Sequence, residues 1–414
     1  MKRLHLVTAA VLATAALTAV QPVCATAAPL LPTLPGAPTK PDQDPFYAVP
    51  ADIGDHPDGA VLAARPIDAP ALLLPMSAAA WQIRYKTAGA AYVQTATVAT
   101  LLVPHTPWSG PGPRPLLSYQ IAEDAVGTRC APSQVLRAGF GAGLGSGQAE
   151  AVAIAAALAN GWAVVVSDYE GPESRFVSYP DTAHAVIDGI RAALDFAPAG
   201  LDRAAPIGLT GYSGGGYASM AAAEQQPGYA PELHLTAAAV GGLPADLPVL
   251  LNAVNRGPFV GFAIGAIIGL ARANPDAGIP ALLNDSGRAA VADSATDCVA
   301  DLLAEYAFRD VADFVTVPDP LRDPSLAALL RANSLGQATP RLPIAEFHSL
   351  GDEVVPLGQT DSLLDNYSAA GVSVQRTRAP GDHFTGYLAA QYPAFDYLAQ
   401  RFTDAAAASD SVGR

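Results

Sequence analysis

Residues 207–217 read Ile-Gly-Leu-Thr-Gly-Tyr-Ser-Gly-Gly-Gly-Tyr, an apolar run closing in G-x-S-x-G with Gly211, Ser213 and Gly215 at the fixed positions. The run predicts a strand over 206–210, and the Ala-rich segment 217–225 predicts a helix, so Ser213 falls on the turn between them. A turn that sharp brings the residues two before and two after the serine too close for side chains, and glycine relieves the crowding. The hydroxyl then stands above the sheet at a helix N-terminus, where the dipole favours developing negative charge. A chain with 37 glycines produces the bare pattern by chance. Its setting between strand and helix makes Ser213 a candidate nucleophile; the alternative is a structural turn.

The flanking segments agree with that setting. Strands at 81–87 and 92–103 form an antiparallel pair across a turn at 88–90, followed by strand 115–120, helix 148–160, strand 162–168 and helix 181–196. Three more strands are predicted at 234–240, 342–349 and 372–378. Uninterrupted apolar strands separated by helices predict an α/β fold with a mostly parallel sheet and helices on both faces. The alternation stops between 242 and 340, where helices and Pro breaks carry no strong strand. The expected organisation is an α/β core over 44–241 and 341–405, with a helical cap or lid inserted over 242–340. Such an insertion covers the C-terminal sheet edge, where these folds bind ligands. Its most apolar stretch, residues 259–271, is too short to span a membrane and predicts a cap helix or an ordinary core helix.

A serine hydroxyl is inert without a base, and the base needs a carboxylate to orient it. In folds with this turn the chain order is serine, acid, histidine. Three histidines follow Ser213. His234 falls inside a predicted strand, and His348 in the apolar run 342–349 reads as a satisfied strand histidine. His383 lies in Pro380-Gly381-Asp382-His383-Phe384-Thr385-Gly386, a predicted loop before the terminal helix. A flexible, partly exposed imidazole is expected there, which makes His383 the candidate base. Asp352, directly after Gly351 in the loop following strand 342–349, is the candidate acid, with Glu353 as its rival. Asp382 is too close to His383 in sequence to reach its distal ring nitrogen. Acyl transfer also needs two donors for the oxyanion. One is the backbone N–H of Gly214; the other is Asp124 in the loop after strand 115–120, through its backbone N–H or, when protonated, its carboxyl.

Composition narrows the partners. Half the residues are hydrophobic and 15% charged, which excludes a disordered chain. With 38 Asp and Glu against 23 Lys and Arg, the net charge of −15 excludes a nucleic-acid partner. Lys2 and Arg3, the apolar stretch 6–20 and Ala25-Thr26-Ala27 predict a cleaved signal peptide over 1–27, and residues 28–43 a Pro-rich leader. The chain is expected to be secreted, to the medium or the cell envelope, without stable membrane insertion. After cleavage Cys130 and Cys298 remain. In an oxidising compartment they are expected to pair, with two buried free thiols as the alternative. Neither zinc nor haem spacing is present, and no cofactor or metal is expected. The glycine run 139–147 has no clear strand ahead of it and no well-placed ribose-binding acid after it, which excludes a dinucleotide site.

Several blocks in order give the chain a family resemblance. Asp44-Pro45-Phe46-Tyr47 with Gly59-Ala60-Val61-Leu62, Ser118-Tyr119-Gln120 with Glu123-Asp124, and Cys130-Ala131-Pro132-Ser133 resemble blocks of the secretory lipase family, the Candida antarctica lipase A-like proteins. Asp168-Tyr169-Glu170-Gly171-Pro172, the turn 211–216, Gly351-Asp352 and Gly381-Asp382-His383 continue the likeness. The resemblance implies an α/β-hydrolase core, a helical cap over an acyl tunnel, and cofactor-free ester hydrolysis. It also implies a Cys130–Cys298 bridge between core and cap; no second cysteine pair exists for any further family disulfide. The expected function is a secreted serine carboxylester hydrolase acting on triacylglycerols or shorter acyl esters, with a lipid–water interface as a candidate place of action. The alternatives are a serine peptidase or amidase on the same fold, or a non-catalytic lipid binder.

Overall fold

The computed structural model describes residues 38–71, 74–89, 92–139 and 146–412. The predicted signal peptide, most of the leader, the end of the 88–90 turn and most of the 139–147 glycine run lie outside the described residues. Chain order along the sheet and its edge is β1 (Val61–Pro66), β2 (Pro70–Ala71), β3 (Leu74–Pro75), β4 (Ala78–Ala88), β5 (Gln94–Pro104) and β6 (Leu116–Gln120). It continues with β7 (Ala163–Ser167), β8 (Ile207–Tyr212), β9 (Leu235–Gly241), β10 (Ile344–Ser349) and β11 (Val374–Ala379). Nine of these make one sheet in the order β1-β4-β5-β7-β6-β8-β9-β10-β11, and β2 pairs with β3 apart from it. Strands β1, β4 and β5 join through antiparallel pairings, and from β7 to β11 every pairing is parallel. The sheet is therefore mixed, parallel where the candidate site lies.

The parallel strands are buried on both faces because their residues alternate between two cores. Leu116 and Val165 face a core built with α3 (Tyr179–Asp195) and α4 (Gly214–Tyr229), where Ile187, Ile190 and Met220 pack. Leu117 and Val164 face the opposite core, formed by α1 (Pro132–Ala138), α2 (Ser146–Ala159) and the terminal helix, with Ile154, Phe395 and Phe402. Between β9 and β10 the chain forms an inserted helical region: α5 (Leu247–Val254), α6 (Gly261–Ala273), α7 (Ile279–Leu282), α8 (Asp285–Asp293), α9 (Val299–Tyr306) and α10 (Pro324–Ala332). This region holds a third apolar core that includes Leu251, Ile264, Ile268 and Leu302. Helix α11 (Leu357–Ala369) precedes β11, and α12 (His383–Val412) closes the chain. Cys130 and Cys298 are bonded, tying the segment after β6 to the start of α9, so the free-thiol alternative does not apply.

Several local expectations are corrected. Helix α4 begins at Gly214 rather than at 217, since three glycines of poor helix propensity hide its first turn from a propensity reading. Helix α3 begins at Tyr179, two residues before Asp181, because Pro180 is compatible with a first turn. His234 is exposed and stands one residue ahead of β9 rather than within it. Strand β1 is a half-exposed edge strand and helices α1 and α11 are short of apolar periodicity, so none of the three was predicted.

Candidate active site

Ser213 joins β8 to α4 with φ +54, a conformation uncommon outside glycine. Its N–H donates to the Gly241 carbonyl on β9 at 2.9 Å, pinning the turn to the sheet edge. The flanking glycines are sterically required. A Cβ on Gly211 would lie 2.4 Å from the Gly215 carbonyl group, and one on Gly215 would lie 2.0 Å from the Gln120 oxygen.

His383 is the first residue of α12, and it is buried, with 4% of its surface exposed. This corrects the expected loop and the expected partly exposed ring. Asp382 caps the helix, accepting N–H bonds from Phe384 and Thr385. The His383 carbonyl accepts from the Tyr212 hydroxyl at 2.9 Å, and the two rings stand 5.1 Å apart. Helix start and elbow therefore hold the imidazole from two sides. Its Nε2 is 3.0 Å from Ser213 Oγ and its Nδ1 is 2.8 Å from Asp352 Oδ2. The other Asp352 oxygen accepts from the N–H groups of Val354 and Val355 at 3.0 and 2.7 Å, which fixes the carboxylate. Glu353 has a different position: its Oε2 accepts the backbone N–H of His383 at 3.0 Å. The structure thus brings Ser213, His383 and Asp352 into one hydrogen-bonded chain and leaves Glu353 as a brace.

Asp124 sits beside the elbow with φ +47, so close that a Cβ on Gly214 would lie 1.9 Å from its Oδ1. Gly214 opens α4, and the first N–H groups of a helix have no intrahelical partner. Burial pushes the Asp124 carboxyl up to about 7, against an opposing electrostatic pull from the neighbouring His383. More buried acids surround it. Glu150, pushed up to about 8, anchors the loop by accepting the Ala122 N–H at 2.9 Å. Asp168, raised by burial to about 7, accepts both the N–H and the hydroxyl of Ser133. Glu123 and Glu170 are raised well up by burial and by neighbouring carboxylates, Asp124 among them. Sequence reading placed Glu123, Asp168 and Glu170 in family blocks but gave none of these acids a role at the site, and it missed Glu150. The cluster Glu123-Asp124 with Asp168-Tyr169-Glu170 was the available signal, and nothing in it says that two loops meet.

From Ser213 a narrow cavity of about 30 Å3 runs under the inserted helices. Its walls are apolar: Phe176, Val177, Leu250, Leu251, Phe262 and Val354 line it beside Asp124 and Gly214. Helix α6 reaches it because Gly261 and Gly269 lie against backbone, where a Cβ would come within 2.4 Å of the Leu302 and Phe176 carbonyl oxygens respectively. The close approach turns Phe262 and Ala266 toward the cavity.

A nucleophile elbow at the parallel strand ends of a mixed sheet, helices on both faces and an inserted helical region define an α/β-hydrolase. Within that class the chain belongs to the secretory lipase family, whose profile matches residues 143–410. It is 37% identical, over 81% of its length and 76% of the relative's, to a probable inactive lipase of Mycobacterium tuberculosis. It is 33% identical to lipase A of Arthroderma benhamiae, over 83% of this chain and 75% of the relative. The crystal structure of Candida antarctica lipase A superposes with a TM-score of 0.83 at 29% identity, covering 89% of this chain and 88% of that one.

Proposed function

We propose that the chain is a secreted serine carboxylester hydrolase, a lipase or esterase cleaving acylglycerols or shorter acyl esters. Family membership supports carboxylester hydrolysis in general, and one relative bears the name of an inactive lipase, so the reading rests on side chains. The observation that carries it is the unbroken contact of hydroxyl, imidazole and carboxylate through Ser213, His383 and Asp352. Ser213 Oγ attacks the acyl carbon while His383 Nε2 takes its proton, and Asp352 stabilises the resulting imidazolium. The Gly214 N–H and Asp124 hold the oxyanion. His383 then returns the proton to the leaving alkoxide, and water, deprotonated by the same nitrogen, releases the acid from the acyl-enzyme. The apolar cavity walls favour an acyl chain over a peptide, whose charged terminus needs an opposite charge. A series of p-nitrophenyl esters from acetate to long chains, run beside peptide amides, tests this. Ester turnover with inert amides is expected; amide turnover would support the peptidase, and no turnover the binder.

Asp124 gives the reaction a pH signature. Below pH 7 its carboxyl is protonated and can donate to the oxyanion; above, the carboxylate cannot donate and repels negative charge. Turnover should therefore fall as pH rises through about 7, and Asp124→Asn, a permanent donor, should remove that fall. The stability sign agrees. The folded state keeps a proton that the unfolded chain releases near 3.8, so this group's contribution to stability is fully present below about 4 and is lost between about 4 and 7. Thermal melts of both proteins across this range check it, with a flatter profile expected for the variant; identical rate and melting profiles would remove the side-chain role.

A lipid surface as the site of action has its own support. No Asp, Glu, Lys or Arg occurs from His383 to Phe395, and Phe384, Leu388 and Tyr392 point outward at helical spacing, 54, 65 and 78% exposed. The face starts at the candidate base and continues onto Phe259, whose ring is 5.9 Å from that of Phe384. Three exposed side chains and the half-buried Phe259 fall short of the ~800 Å2 per partner of a stable protein interface, so a neutral lipid surface is the better occupant. Leu388→Asp with Tyr392→Asp should weaken adsorption to triacylglycerol emulsions by about 100-fold, since two lost apolar contacts cost roughly 3 kcal/mol. Hydrolysis of soluble p-nitrophenyl acetate should stay unchanged; unchanged adsorption would exclude this face.

A further inference from the structure

We propose that His348 is a buried imidazolium cation that shares Asp352 with His383 and so sets the acid limit of catalysis. The inference rests on the hydrolase reading above for its second half only. Hydrogen-bond chemistry carries the charge. The His348 side chain is fully buried. Its Nε2 lies 3.0 Å from the Val355 carbonyl oxygen, which has no proton to give, so Nε2 must carry one. Its Nδ1 lies 3.0 Å from Glu346 Oε1. The other oxygen of Glu346 accepts from Arg378 Nη1 at 2.5 Å, a charge-assisted bond in which the carboxylate is acceptor-only. Nδ1 must then donate as well. A histidine that donates from both nitrogens is charged. A neutral ring would set its Nδ1 lone pair against a carboxylate, a repulsion burial would not screen.

The cation reaches the reacting groups through one atom. His348 Nε2 is 3.4 Å from Asp352 Oδ2, the same oxygen that holds His383 Nδ1 at 2.8 Å. The charged groups around the pair come from four elements: Glu346 on β10, Arg378 on β11, Asp361 on α11 paired with Arg378 at 2.5 Å, and Glu353 on the loop at the His383 N–H. Tyr212 closes the other side, its phenol pushed up out of the titrating range by burial and by Asp352. Burial alone would push His348 down, but the Glu346 carboxylate, the Val355 carbonyl and Asp352 together raise it above its ordinary value.

A positive charge beside Asp352 opposes a second positive charge on His383, so the base stays neutral, and competent, at lower pH. Replacing His348 by Gln keeps a donor toward Val355 and removes the charge. The acidic limb of kcat/KM on a soluble ester should then move to higher pH by roughly one unit, with the alkaline limb unmoved. Glu346→Gln, which weakens the cation from the far side, should move it in the same direction by less. A purely structural role would lower the rate at every pH without moving the limb, and that result in folded H348Q would overturn the proposal. Nitrogen NMR of 15N-histidine-labelled protein reads the charge without substrate. Two protonated nitrogens at neutral pH, absent from H348Q, are expected; one unprotonated nitrogen at neutral pH would overturn it. Should the protein hydrolyse no ester, the hydrolase reading fails while the NMR result still decides the charge.

Discussion

Replacing Ser213 by alanine should leave a folded protein whose ester turnover has dropped on the order of 10^5–10^6-fold, the scale seen when a nucleophile that works as a unit with its base is removed. The change deletes one oxygen whose hydrogen-bond partner is His383 Nε2 at 3.0 Å. The elbow itself is held by the Ser213 N–H on Gly241 and by crowding at Gly211 and Gly215, none of which involves the hydroxyl. The melting temperature should therefore change little while the rate collapses. A fluorophosphonate probe should label the parent protein and not the variant. Labelling that survives in Ser213→Ala, or turnover within tenfold of the parent, would move the chemistry elsewhere and end the proposed mechanism.

Asp352→Asn should cost about 10^4 in kcat, through proton placement rather than lost structure. The Asn carbonyl oxygen can still accept the Val354 and Val355 N–H groups that hold this side chain. Its amide nitrogen would then face His383 Nδ1 and force that nitrogen to accept, leaving the ring proton on Nε2 against Ser213, where no further proton can be taken. The rival acid supplies the control. Among the described residues Glu353 accepts just the backbone N–H of His383, which a Gln carbonyl does equally well, so Glu353→Gln should lose less than about tenfold. The reverse ranking of the two variants would assign the acid to Glu353.

Both predictions rest on residues whose roles differ in legibility. Ser213 is readable because the turn demands glycine at 211 and 215, a local steric rule that leaves a local pattern. Asp352 and His383 are readable from chain order, since each follows a strand end on the same sheet edge. His348 is the satisfied strand histidine expected, with a partner at each ring nitrogen. Burial in β10 is correct, but the turn at 350–352 folds Asp352 back over it, four residues on, and no local rule announces that return. The loop position and partly exposed ring expected of His383 are not found for a similar reason: Asp382 starts a helix there, and Tyr212 from β8 covers the ring.

What the amino-acid order by itself determined is everything set by neighbours a few residues apart: the strand and helix alternation, the elbow, the insertion between β9 and β10, and two cysteines available to pair. Tertiary structure alone decided the electrostatics. Asp124 is raised to about 7 because burial withdraws its water, and His348 faces two carboxylates because β10 and the loop after it close on one another. Patterns of residue type record which groups a chain carries, whereas the charge a group holds depends on which distant groups and how much solvent surround it.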